Sequence, residues 1–580
     1  MSNTPNFDQR LNAILSSLKP GEERVCALTG KPWILDETEI AICKKFRVPP
    51  SKIKPGTRMN MLNGYNTGLA IFWNTDVSTG KPIISAIHPD LPFKVIDDIV
   101  WYRHDFSDKG VEINLERPVI DQIWDLVQVV PVRAKRNRDV DEKSIAVGSV
   151  QTHEGYMTCS SGATRSCYTY AQFGAEDCID VTNGYEAARS YAISDSHNIV
   201  DSEFVFSSHR CLKSSFLFDC RDCEYCFGAT NKRHKKFLWF NEQLSEEEWK
   251  RCRAEADLGC RSVADAWLAK FYGFWREEGV WPALFGINNQ ECEGEHIFNS
   301  VRCREAFWME KCIDCVRCRF GLEGNDCAYC SGFGWEARSY MSTGGVGGAD
   351  NKFTMGNNDS LGLEYCAMCD NCQYCFGCVG LNKKEFHIFN KPYSKEEYWR
   401  RVDELKCRML DDESYGEFFP GKFSLSGFEH SAGAVYFDYR ERDLERFGAI
   451  RVDVARGLVL APKREDSHVV RLRLDELPDC VDEVQNGILN SPIYDEELDR
   501  DFSIVPRELA MYQEKRWPLP RRHFIARLTR WLRHANSPFS EEVVCGECKK
   551  KTQTYKNFVF GDDRMVYCMS CYNAFIEKVG

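Results

Sequence analysis

The sequence predicts a mainly β chain with inserted helices, built as a duplicated cysteine-rich β-solenoid between two ribbon-like terminal modules. Three observations carry that expectation. The stretch FDCRDCEYCFG at 218–228 returns as AMCDNCQYCFG at 367–377, an offset of 149 residues. Of 29 cysteines, twenty-one lie between Cys159 and Cys378 and four fall in the last 36 residues. Upstream of each repeat, small residues, cysteines and aromatics alternate with Asp, Ser and Asn, without a helical period.

The repeat extends without a gap. Cys220, Cys223 and Cys226 fall on Cys369, Cys372 and Cys375, Phe240-Asn241 on Phe389-Asn390, and Ser245 on Ser394. One supersecondary unit therefore occurs twice. Each copy closes with a short strand and then a capping box, Ser245 with Glu248 and Ser394 with Glu397, that opens a helix. A further helix is expected at 262–277, with Ala266, Trp267, Phe271 and Phe274 on its apolar side.

The short-stepped text suits a β-solenoid, in which brief strands and corners stack rung on rung. In a flat strand, residues three apart face opposite sides, so a C-x-x-C-x-x-C run must turn a corner or adopt a three-per-turn conformation. Three readings compete for these cysteines: reduced core packing, metal binding and disulfide ladders. Packing is the expectation, because reduced cysteine is among the most buried residue types.

The tail reads CGECKKKTQTYKNFVFGDDRMVYCMSC. Cys545 and Cys548 form one C-x-x-C knuckle, Cys568 and Cys571 another, separated by nineteen residues. Two knuckles across a hairpin, its turn placed at FGDD (560–563), predict one tetrahedral structural zinc site with no open position. The N-terminus reads as a worn relative of this end. At an offset of 469, Trp33 pairs with Phe502, Glu39 with Glu508, Pro49 with Pro518 and Arg58 with Arg527. There Cys26 and Cys43 lack a matching set, so no second metal is expected.

With 580 residues, 43% hydrophobic and 28% charged, the chain can bury large cores without cysteine cross-links. No run is long and apolar enough to span a membrane. MSNTPNFDQRLNAILSSL lacks the marks of a secretory signal. The expected setting is therefore cytoplasmic and reducing, with thiols free or metal-bound. A net charge of −12 opposes non-specific nucleic-acid binding. One basic stretch stands against it, PRRHFIARLTRWLRH (520–534). Ile525, Leu528, Trp531 and Leu532 form its apolar stripe, and Arg521, Arg522, Arg527, Arg530 and Arg533 are its candidate phosphate contacts.

No catalytic residues are assigned. The chain has no GxSxG elbow, HExxH or GxxxxGK[ST] loop, and STGGVGGAD (342–350) lacks the Lys-Ser/Thr of a phosphate loop. His209, His234, His296 and His387 read as surface or satisfied histidines, and a Cys-His nucleophile stays open as an alternative.

CALTGKPW (26–33), STGKPIIS (78–85), the two CxxCxxCFG units, GEFFP (416–420), PRELAMYQEKRWPLPRR (506–522) and VYCMSCY (566–572) together resemble a family of uncharacterised, cysteine-rich zinc-ribbon proteins of environmental bacterial and phage genomes. The resemblance spans most of the chain and implies zinc ribbons at both ends of a repeat body, without an activity. This chain departs from the pattern at Asp495, at Arg522-His523, near Lys54 and at Thr75-Asp76, which leaves the last of four ribbons intact.

The expected modules are 1–130 (degenerate ribbon), 145–282 and 283–410 (solenoid copies), 411–488 (connector) and 489–580 (zinc ribbon). The expected function is a non-enzymatic, zinc-binding scaffold that engages other proteins through the solenoid surface or the terminal modules. A virion or assembly component is one form of it. A nucleic-acid-binding zinc ribbon and an enzyme with an unrecognised Cys/His site are the alternatives.

Overall fold

The computed structural model describes residues 2–437, 439, 441–454, 456–459 and 471–580, apart from the Phe333 side chain. Among these the chain is strand-rich with inserted helices, and it divides into two compact units. One gathers Met1–Gly68, Phe72–Lys135 and Phe285–Gly457; the other gathers Leu69–Ile71, Arg136–Leu284 and Leu458–Gly580. Each cysteine-rich half is thus grouped with the terminal module remote from it in sequence. No helix among the described residues is long and apolar enough to cross a membrane.

A 13-stranded sheet dominates the second unit and a 7-stranded sheet the first. Apart from the antiparallel last pair of the larger sheet, their strands pair in parallel, with a step of eleven residues and a bulge near the start of each sheet and twelve beyond it. Cys167 faces Ile179, which faces Tyr191, then Glu203, Ser215, Phe227 and Trp239, twelve residues at a time. In the other ladder Phe307 faces Arg319, and Val346 faces Asn358, which continues to Asp370 and Asn382 at the same step.

The three-residue spacing of the cysteines now has a conformational cause. Asp201, Phe204, Ser207, Arg210, Lys213, Phe216, Asp219, Asp222 and Tyr225 all have φ between 47° and 58°. Such left-handed residues cost an L-amino acid about 1–2 kcal/mol each. The ladder offsets that cost: the amide of Arg210 donates to His197 C=O, that of Asp222 to His209 C=O and that of His234 to Arg221 C=O, all at 2.9–3.0 Å. The residue after each corner points inward. Ser202, Val205, Ser208, Cys211, Ser214, Leu217, Cys220, Cys223 and Cys226 are at most 1% exposed.

These inward side chains do more than fill space. Ser196 Oγ accepts from the amide of Ser208, Ser208 Oγ from Cys220, Ser202 Oγ from Ser214 and Ser214 Oγ from Cys226, at 3.0–3.1 Å. Cysteine takes the same place: Cys366 Sγ accepts from Cys378 N–H, and Cys378 Sγ from Asn390 N–H, both at 3.4 Å. The thiol of Cys220 in turn donates to Phe218 C=O at 3.5 Å or Ala229 C=O at 3.4 Å. An inward corner presents a buried amide to the preceding rung, and a small side chain with a lone pair satisfies it.

Both repeats end alike. Phe240 and Asn241, like Phe389 and Asn390, are left-handed. Asn241 Oδ1 accepts from Thr230 N–H at 3.0 Å, and Asn390 Oδ1 from Val379 N–H at 2.8 Å. The helices that follow are Glu246–Glu255, with the complete Ser245/Glu248 capping box, and Lys395–Asp411, where Ser394 accepts from Glu397 N–H. The next helix runs Arg261–Glu278, and its buried stripe is Ala264, Leu268, Phe271 and Trp275. The expected stripe is rotated: Ala266 is exposed, and Trp267 and Phe274 are half-buried. Steps of four, three and four keep Trp275 on the buried side, where its ring lies 4.2 Å from that of Phe218.

One expectation about the thiols is corrected. Cys260 and Cys480 form a disulfide, whereas the inward ladder cysteines are free thiols.

Candidate metal centre

The tail site is assembled from a hairpin and a helix. Strands Ser540–Val544 and Lys551–Tyr555 pair antiparallel, and the knuckle itself is their turn. Cys545 N–H donates to Lys550 C=O at 2.9 Å, and Lys549, left-handed at φ 59°, donates to Cys545 C=O at 3.0 Å. The hairpin turn therefore lies at 545–550. The Gly-Asp-Asp expected to form it is instead a single 3₁₀ turn, Gly561–Asp563, leading to strand Met565–Tyr567. That strand pairs in parallel with Val280–Pro282. Cys568 then caps helix Met569–Val579, and Cys571 is the helix's third residue.

Gly546 N–H donates to Val566 C=O at 2.8 Å, which sets the knuckle against the helix start. Cys568 N–H reaches Cys545 Sγ at 3.3 Å, and Cys548 Sγ lies 3.8 Å from Cys568 Sγ. All four sulfurs lie within 4.8 Å of one another. A cation bound tetrahedrally by sulfurs at about 2.3 Å needs sulfur–sulfur edges of about 3.8 Å. The group could therefore hold a metal ion. Cys545 is buried, Cys568 and Cys571 are half-buried and Cys548 is exposed.

Two of the thiols already lean toward that state. The Ser570 hydroxyl, then the Cys571 amide, hold Cys568 down at about 6. Burial works against ionising Cys545, but the amides of Cys568, Cys548 and Glu547 outweigh it and hold the thiol below its ordinary value. Cys571 is pushed up to about 12 by its hydrogen bond with Cys568. Neighbouring thiolates repel one another, and a bound cation removes that conflict. The helix is anchored on the ladder of its own unit: Arg233 donates to Tyr572 Oη at 2.8 Å and to Asp219 at 3.0 Å, and Tyr572 donates to Asp219.

Three other hairpins carry the same turn without the pair of thiols. Glu22–Val25 with Pro32–Leu35 places Cys26 and Thr29 at the two knuckle positions; Phe72–Thr75 with Pro82–Ser85 places Asp76 and Thr79 there. Ile493–Asp495 with Arg500–Phe502 places Asp495 and Leu498. Gly30, Gly80 and Asp499 are left-handed, like Lys549. Hydrogen bonds occupy these sites. Asp495 accepts from Arg522 Nε at 2.9 Å, His523 N–H at 2.8 Å and Leu498 N–H at 3.3 Å. Asp76 accepts from Ser78 N–H at 2.7 Å.

The five arginines proposed for phosphate do not share one surface. Arg521 donates to the carbonyls of Leu474, Leu477 and Pro478. Arg522 pairs with Asp495 and Glu497. Arg527 is buried and bidentate on Asp180, at 2.7 and 3.0 Å. Arg530 and Arg533 are exposed, Arg530 over the Trp531 ring at 5.0 Å. Of the apolar stripe, Leu528, Trp531 and Leu532 are buried and Ile525 is half-buried.

Arg527 belongs to an inner cluster that sequence reasoning missed. Glu508 accepts from Tyr168 at 2.9 Å and Tyr512 at 3.0 Å, and burial pushes it up to about 7. The other unit repeats the theme, with buried Arg58 on Glu39 and Tyr340. The 469-residue offset that pairs Arg58 with Arg527 also pairs Glu39 with Glu508, and that coincidence of charges was the available signal.

The four histidines sit in separate places. His209 is buried and pushed well below its ordinary value by burial, His387 is buried beside Ser107, His296 is buried with its ring 5.7 Å from Phe285, and exposed His234 lies 3.7 Å from Asp222. No protein-family model matches the chain, and no curated protein matches it.

Proposed function

We propose that this protein is a non-enzymatic, zinc-binding interaction scaffold whose two ladders are four-sided β-solenoids. The observation that supports it is the twelve-residue step that runs through most of both ladders. A chain that advances one strand every twelve residues, and turns at every third, winds into a coil of four short sides filled by sulfur, hydroxyl and methyl groups. Long stacked bodies of this kind commonly serve as binding surfaces.

The zinc assignment rests on the donor set. Four thiolates with tetrahedral edges favour zinc over harder cations. Cys545, Cys548, Cys568 and Cys571 would hold it, and with all four positions filled by protein the ion would tie hairpin to helix and leave no place for substrate. The partners proposed are other proteins. The engagement of Arg521, Arg522 and Arg527 within the fold weighs against phosphate recognition. A virion or assembly component is a concrete form of this role, carried by the family resemblance.

Two measurements test it. Elemental analysis should find about one zinc per chain, and four or more would mean that the ladder thiols bind metal. In native extracts the chain should migrate in an assembly well above its own 66.9 kDa. Migration alone at that mass refutes the scaffold role.

A further inference from the structure

Cys260 and Cys480 are 220 residues apart in sequence and joined by a disulfide. Cys260 caps the 18-residue helix Arg261–Glu278, and Cys480 precedes the 3₁₀ turn Val481–Glu483. The two face each other across an antiparallel bridge. Arg261 N–H donates to Asp479 C=O at 2.8 Å, and Val481 N–H to Gly259 C=O at 2.9 Å. Asp479 also accepts from Ser262 N–H at 3.0 Å and Ser262 Oγ at 2.6 Å.

This bond is placed unlike the sulfur of the ladders. Both cysteines are half-buried, so a small thiol can reach them, whereas Cys211, Cys220, Cys223 and Cys226 of the first repeat are sealed. The helix N-terminus stabilises a thiolate at Cys260, which makes Cys260 the better leaving group. Asp257 and Asp479 lie close, and the two sulfurs with Asp479 have metal-ligand spacing. A cation is opposed there by the positive helix end and by Arg516, which holds Asp257 at 2.8 Å. Thiol chemistry fits this position, and metal binding does not.

We propose that Cys260–Cys480 is a reversible redox latch. A low-molecular-weight thiolate attacks the Cys480 sulfur and expels Cys260 as a thiolate, which takes a proton from solvent. A second thiolate attacks the mixed disulfide and releases Cys480. Two electrons pass from two small thiols, which leave as their own disulfide, to the protein's sulfur pair. Once open, segment 472–484 keeps the backbone and Asp479 bonds to the helix, the Arg521 bonds to the carbonyls of Leu474, Leu477 and Pro478, and the Arg516–Asp482 pair, without a covalent tie. That segment also carries Leu472, which pairs with Ile493 at the edge of the hairpin bearing Asp495. Opening the latch loosens this hairpin's support and leaves the tail thiols untouched.

The test is differential alkylation of the folded, full-length chain in glutathione buffers, with hydrogen exchange and zinc content read in parallel. Millimolar reduced glutathione should expose Cys260 and Cys480 as a pair. It should speed exchange at 472–484 and at 261–264 by about tenfold or more, with zinc content unchanged. Cys480→Ser should show the fast exchange in oxidising and reducing buffer alike. Two results would overturn the latch: a bond that opens only when the chain is unfolded, or opening that leaves exchange at 472–484 unaltered. Should Cys480→Ser fail to fold, alkylation of the unmodified chain still decides.

Discussion

Ser208 tests whether an inward ladder side chain needs a lone pair or only bulk. The residue is fully buried, its Oγ accepts from Cys220 N–H at 3.0 Å, and it donates to Phe206 C=O at 2.9 Å. Ser208→Ala leaves the Cys220 amide buried without that acceptor, a cost of about 1–3 kcal/mol. Ser208→Val restores bulk but not the acceptor, so it should be at least as destabilising as alanine. Ser208→Cys keeps an acceptor of the kind seen at Cys366 and Cys378, and should stay within about 1 kcal/mol of the parent. Urea unfolding followed by tryptophan fluorescence reports on the same unit, because Trp275 lies against Phe218 and Phe206. If valine proves as stable as cysteine, the corner amides do not depend on side-chain lone pairs, and the account of the cysteines reduces to packing alone.

Cys548→Ser should abolish zinc binding and disorder the 540–580 segment, seen as lost metal and rapid proteolysis there, and the loss of Tyr572 from Asp219 and Arg233 should lower the ladder's unfolding midpoint as well. Arg527→Ala leaves Asp180 as an uncompensated buried charge and should cost about 3–5 kcal/mol in denaturant unfolding. Glu508 is held near 7 in the folded chain by burial, above its ordinary 4.5, so the folded state keeps a proton that the unfolded chain releases. Stability of this unit should therefore fall as pH rises from about 4.5 to about 7, by up to about 3 kcal/mol, and Glu508→Gln should flatten that slope in pH-dependent unfolding. Cysteines placed together at Asp495, Leu498, His523 and Ala526 should raise zinc content by one per chain, and no gain would show that this hairpin and helix do not share the tail's geometry.

Local features were legible in the sequence to the degree that their causes are local. The capping box at Ser245 and Glu248 was readable because three residues suffice to build it. The paired Phe-Asn ends were readable as a repeat, although not as the left-handed corners they form. The three-residue cysteine step pointed to a corner, but a left-handed φ at residues as ordinary as Phe204, Lys213 and Tyr225 has no compositional mark. It arises because the neighbouring rung accepts the corner amide. Arg527 reads as a candidate phosphate contact from charge alone, and Asp180, 347 residues away, engages it instead. The Cys260–Cys480 pair was equally invisible, since neither cysteine belongs to a motif.

The knuckle positions show one junction geometry built with and without thiols. In the tail, Cys568 caps a helix, Cys571 is that helix's third residue, and the Cys568 amide points at the Cys545 sulfur. At the preceding hairpin, His523 caps Phe524–Leu532, and its amide points at the Asp495 carboxylate. A carboxylate that collects Arg522, the His523 amide and the Leu498 amide links hairpin to helix by charge-assisted hydrogen bonds. It thereby performs with fixed donors the joining that four thiolates would perform through a cation. Such a replacement stays in place without any metal supply. In the tail the knuckle is Cys-Gly-Glu-Cys, with an acidic Glu547 and an exposed Cys548, and the helix-cap amide of Cys568 meets the Cys545 sulfur, a donor suited to a soft cation. The one hairpin with both thiols meets its helix-cap amide with a sulfur, and the Asp495 hairpin meets it with a carboxylate held by Arg522, so either chemistry closes the same junction.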